Sequence, residues 1–170
     1  MELSVSACLL NLGRLVDGLD HARRAREAFD RLGGRIELGQ ARLFEAQILD
    51  NLGHTAEAEE AIAVAQTAFE AENNSAWLAQ AAMARASLVG RHGDTDESLA
   101  LALGAAETFT QLGQLQNAAL ARLLAARSAL RLGQSSSARE LAKAALETGQ
   151  ALGASDLVHP ALQILGEIER

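Results

Sequence analysis

The chain has 170 residues, a formal charge of −7 and 49% apolar residues, enough to bury a core, which excludes a wholly disordered tail. Aromatics are only 3%, there is no Tyr and a single Pro, and Ala and Leu dominate the apolar residues, so a β-rich fold is excluded and helix is expected. Net acidity without a basic run argues against a nucleic-acid partner, whose binding rests on clustered Lys and Arg.

In chain order, the first segment is the apolar helix Leu3-Ser4-Val5-Ser6-Ala7-Cys8-Leu9-Leu10. Val5 to Cys8 has the look of a lipoprotein cleavage box, but Glu2 stands where a signal peptide needs basic residues, and that reading is set aside. No apolar run approaches the length of about 18 residues that a membrane span requires, so no membrane partner is expected. Cys8, the single cysteine, is read as a small buried hydrophobe; its solitude accords with a cytoplasmic location, and the Arg-rich, nearly Lys-free composition with a bacterial source.

Gly13 then opens a regular beat. Gly13, Gly33, Gly53, Gly93, Gly113, Gly133 and Gly153 are separated by multiples of 20, and Asn73 fills the missing position. Gly and Asn are the residues that best accept the left-handed conformation ending a helix, so each beat reads as a helix of about 17 residues and a tight turn. A second pattern repeats every 40 residues: Ser6, Ala46, Ala86, Ala126 and Gly166; Gly18, Ala58, Ser98 and Ala138; Ala25, Ala65, Ala105 and Ala145; and a bulky column of Phe29, Phe69 and Phe109 that ends at Gly149. Alternate helices therefore differ, and the unit is a hairpin whose helices approach along the small columns, with Phe filling the space between hairpins. Thr55, Thr95, Ser135, Ser75 and Ser155 are the expected N-caps. The hairpins predicted are about 2–32, 35–72, 75–112 and 115–152, with a final helix at about 156–170 and Pro160 near its first turn. About nine helices follow, in an all-α solenoid of antiparallel hairpins.

The second unit, with Ala46, Gly53, Ala58, Ile62 and Ala65, resembles the tetratricopeptide repeat, and nearly the whole chain can be set in the same register. The Trp and Tyr common in that family's first (A) helix are absent, and the 40-residue spacing exceeds the usual length of about 34, so the chain resembles a long-helix variant. The resemblance implies a right-handed superhelix whose A helices line a concave groove. It further implies that the position two before each turn Gly points into that groove: Asn11, Asn51, Arg91 and Arg131. One turn earlier come Gln47, Ser87 and Arg127, and a further turn back the apolar Leu43, Met83 and Leu123. Amides suit an extended peptide backbone and Arg a carboxylate, so the implied partner is a protein or peptide with an acidic or C-terminal segment. The alternative for the arginines is a merely solvated helix face.

Catalytic chemistry has no anchor in the sequence. His21, His54, His92 and His159 are scattered, no phosphate loop is present, and the clusters Glu57-Glu59-Glu60 and Asp94-Asp96-Glu97 are accounted for by first helical turns. No cofactor or metal is expected, and Trp77 reads as a packing residue between hairpins in preference to a ligand platform. The leading expectation is a noncatalytic protein-interaction module. The alternative is a regulatory or sensor repeat region contacting an attached protease, ATPase or transcription-factor domain; a homodimer through the apolar first helix is the third. That first helix lacks a polar outer face, so a single array at 1–170 belonging to a larger protein is the expected organisation.

Overall fold

The computed structural model describes residue 5 and residues 13–170. Among these the chain is all-α: α1 (Leu15–Leu32), α2 (Arg35–Asn51), α3 (Thr55–Ala71), α4 (Ser75–Arg91), α5 (Thr95–Gln111), α6 (Leu115–Arg131), α7 (Ser135–Leu152) and α8 (Ser155–Ile168). Eight helices are thus described; the predicted first helix, with Cys8, Asn11 and the apolar dimer face, lies outside the described residues.

The turns explain the beat. Every position of the 20-residue series has positive φ, from 65° at Gly153 to 109° at Gly93, and Asn73 adopts 50°. At α5's end the Gly113 N–H donates to the Thr110 carbonyl at 3.1 Å and the Gln114 N–H to the Phe109 carbonyl at 2.8 Å, which satisfies carbonyls the helix leaves open. The residue after the left-handed one then serves as N-cap, so the expected caps are displaced by one: Thr55, Thr95 and Ser135 are first helical residues, preceded by His54, Asp94 and Gln134. Asp94 caps through its side chain, accepting the Glu97 N–H at 3.0 Å, and Asn74 Oδ1 accepts the Trp77 N–H at 3.2 Å in the same way. Ser75 and Ser155 likewise open α4 and α8 without capping them. Pro160 falls in the second turn of α8, deeper than expected, where it removes one interior N–H.

The chain divides into two compact units, residues 1–84 and 85–170. In the first, α2 packs against α1 and α3. Ala58 and Ala65 are fully buried and Ala46 nearly so, which makes the α2–α3 seam a line of methyl groups. Phe69, wholly buried, lies against Gly39 of α2 and stacks on Trp77 at a centroid separation of 5.6 Å and an interplanar angle of 22°. A Cβ on Gly39 would stand 2.5 Å from the Phe69 ring, so that residue is glycine because an aromatic ring occupies its side-chain space.

In the second unit, α6 packs on α5 and α7 and also touches α8. Ala119, Leu123, Ala126, Ala142, Ala145, Leu157, Ala161 and Ile164 form its main apolar cluster. Ala138 is fully buried in the α6–α7 seam. Ala138→Leu is expected to destabilise the chain by about 1–3 kcal/mol through overpacking, as is Ala58→Leu in the first unit; thermal melts check both, and unchanged transitions would place the helix contacts elsewhere.

Candidate functional site

The exposed edge of the A helices is narrow. On α2, Gln47 and Asn51 are exposed on a helix otherwise largely buried, and Asn51 Nδ2 donates back to the Gln47 carbonyl at 2.8 Å. Leu43, the third residue expected on this face, is only 8% exposed and belongs to the core. Met83 is half-buried on α4.

In the second unit Leu123 is 5% exposed and buried in the cluster with Ala126 and Ile164, so neither leucine offers a ligand an apolar anchor. The reason is the width of the buried stripe: α2 packs between α1 and α3, and α6 packs on α5 and α7 and touches α8, leaving few positions to solvent. Ser87 is half-buried, while Arg91, Arg127 and Arg131 are exposed. Arg131 is engaged, however, for its Nη1 donates to the Gly90 carbonyl on α4 at 2.6 Å. This bond brings the C-terminal ends of α4 and α6 together. Gly90 leaves room for it: a Cβ there would meet Ser98 Oγ at 2.6 Å and Arg131 Nη2 at 3.1 Å. Beneath, Ser98 Oγ donates to the Ala86 carbonyl at 2.8 Å and lies 2.9 Å from Ser128 Oγ, so α4, α5 and α6 are joined by a buried hydroxyl pair. Arg127 makes no such contact with a described residue and is exposed on this face. Asn11 lies outside the described residues.

The opposite side of α2 holds an arrangement that periodicity did not reveal. Glu45 is 3% exposed, and three arginines converge on its carboxylate. Arg26 Nη1 donates to Oε1 at 3.1 Å and to Oε2 at 3.3 Å, Arg42 Nη1 to Oε2 at 3.2 Å, and Arg23 Nε to Oε1 at 3.4 Å. Burying a charge is tolerable only with such pairing. Arg42 Nε is itself buried and has no hydrogen-bond partner. These residues line a half-open cavity of about 420 Å³, bordered on its other side by Glu57, Glu60 and Ala61 of α3, with Leu49 contributing apolar surface. Glu57 Oε1 also meets His54 Nδ1 at 2.7 Å. The sequence signal for this site is a single glutamate at a core position, where the residues 40 and 80 along are Arg85 and Ala125.

Among the described residues no cluster of His, Cys, Asp and Glu is placed to hold a metal ion, and no helix is long and apolar enough to cross a membrane.

No family model matches the chain, and no curated protein does so either. Solved structures do. A Rap protein complexed with competence and sporulation factor superposes with a TM-score of 0.82 at 13% identity, over 99% of this chain and 52% of that one. A signal transduction ATPase with numerous domains, a protein with a tetratricopeptide repeat sensor from Pyrococcus horikoshii, superposes with a TM-score of 0.85 at 15% identity, over 99% of this chain and 26% of that one. The chain spans about half the length of the first and about a quarter of the second. The fold is of the tetratricopeptide type, built from consecutive antiparallel helix hairpins.

Proposed function

We propose that the chain is a noncatalytic protein-interaction module that takes a peptide segment along the exposed positions of its A helices. The observation that carries this reading is the polar edge of otherwise buried helices: Gln47 and Asn51 in the first unit, Ser87, Arg91 and Arg127 in the second. Solvated amides offer donor and acceptor to an extended backbone, and an exposed guanidinium grips a carboxylate with two parallel hydrogen bonds. The favoured ligand is an acidic segment or a C-terminus. Because Leu43 and Leu123 are buried, polar contacts supply most of the recognition, with Met83 adding the accessible apolar surface. The Rap neighbour, complexed with competence and sporulation factor, supports a binding role for this fold.

A second reading, a regulatory region that senses a ligand and contacts an attached protease, ATPase or transcription-factor domain, is favoured by the ATPase neighbour, whose repeats form a sensor. Charge reversal separates recognition from architecture when it is placed at Arg127 alone, since Arg131 also bonds to the Gly90 carbonyl. On an array of random-sequence peptides, Arg127→Glu is expected to lose the acidic peptides that the parent retains while its melting temperature is unchanged. An identical binding profile for the two proteins removes the groove from consideration.

A further inference from the structure

The cavity beside Glu45 lies on a different face from the polar edge. On α2, Arg42, Glu45 and Leu49 share one side, and at about 100° per residue Gln47 and Asn51 point nearly the opposite way. Its volume of about 420 Å³ falls in the usual range for small-molecule sites.

Its two walls carry opposite charge. On the α1 and α2 side, three guanidiniums face the buried Glu45 carboxylate and Arg26 also pairs with Glu27 at 3.9 Å, leaving a surplus of one positive charge. Glu45 has about four acceptor positions, and four N–H contacts fill them. The remaining donors have nothing left to bond there. Arg42 is the clearest case: only Nη1 is used, Nη2 makes no hydrogen bond to a described residue and is left to meet a carboxylate, and Nε is buried without a partner. On the α3 side stand Glu57 and Glu60; Glu57 meets His54, while Glu60 is exposed and makes no ion pair with a described residue. Leu49 and Ala61, 3% and 2% exposed, provide apolar floor between the walls.

A plain anion meets repulsion from Glu57 and Glu60, and a plain cation meets the arginines. A molecule with both charges joined by a short carbon spacer is complementary to both walls and to the floor. We propose that this cavity binds a small zwitterion of the amino-acid class, its carboxylate taken by Arg42 and Arg23 and its ammonium by Glu60 and Glu57.

Calorimetric titration with γ-aminobutyrate and ε-aminocaproate tests it, with butyrate and butylamine as single-charge controls at matched ionic strength. At least one zwitterion is expected to bind saturably in the millimolar range, and each control about tenfold more weakly. Glu60→Gln, at an exposed position, is expected to erase most of the preference for the zwitterion over butyrate without moving the melting temperature. Arg42→Lys, checked for intact helicity, weakens both carboxylates. The proposal is overturned if neither zwitterion saturates, if butyrate binds as tightly as the zwitterions, or if Glu60→Gln leaves the preference intact. The outcome is independent of the peptide-binding edge, since no residue is shared between the two faces.

Discussion

Phe69→Ala is expected to lower the unfolding free energy by about 3–5 kcal/mol, the largest effect of any single substitution considered. The ring is wholly buried, fills the side-chain space of Gly39 and stacks on Trp77, so its removal leaves a cavity that three helices must close. The same contact predicts a coupling. Gly39→Ala alone places a methyl group 2.5 Å from Phe69 Cε1 and 2.6 Å from Cζ, a clash expected to cost about 1–3 kcal/mol. In a Phe69→Leu background the narrower side chain gives the methyl room, so the double variant should be more stable than the sum of the single costs implies, by about 0.5–3 kcal/mol. Urea unfolding of the four proteins measures the cycle. Strictly additive costs would show that Gly39 is glycine for some reason other than Phe69.

Glu45→Ala is the second large effect. Removing the carboxylate leaves three guanidiniums crowded without their common partner, an uncompensated arrangement worth about 3–5 kcal/mol when the charges are fully buried. Here the arginine side chains are 43%, 25% and 28% exposed for Arg23, Arg26 and Arg42, so each can turn partly toward water. About 2–3 kcal/mol is accordingly expected. Glu45→Gln keeps an acceptor and the shape but loses the charge, and its cost falls between parent and Ala variant. The signature is salt dependence: mutual repulsion of the arginines is screened by added salt, so the deficit of Glu45→Ala narrows between low and high ionic strength. A packing defect alone would leave the deficit unchanged across that range. Arg23→Met, which leaves two arginines on Glu45, should cost less than about 1 kcal/mol.

The two results bear on different layers of the molecule. Phe69 belongs to a column of the repeat that it shares with the buried Phe109. Glu45 belongs to one unit only. Sequences of helical repeats are constrained at the repeat positions by packing common to all units, and what differs between units is left for recognition.

That distinction sets what the sequence by itself determined. Among the described residues the left-handed turn positions and helix lengths were legible, because each depends on local chemistry: Gly or Asn for positive φ, Ala where two helices meet, Phe where the seam widens. Even the displaced N-caps are a matter of one residue, set by the hydrogen bonds that close the turn. Tertiary structure alone decided which residues on the A helices remain in solvent. Leu43 and Leu123 share a helical face with Gln47 and Arg127, yet they are buried because neighbouring helices cover that part of the face. It also decided the partners of charge. Arg23 and Arg26 stand 22 and 19 residues before Glu45, and Arg131 stands 41 residues after Gly90, separations that follow no turn or helical periodicity. An ion pair forms where two side chains can reach one another and their attraction offsets the loss of hydration, and that reach is a property of packed helices in three dimensions.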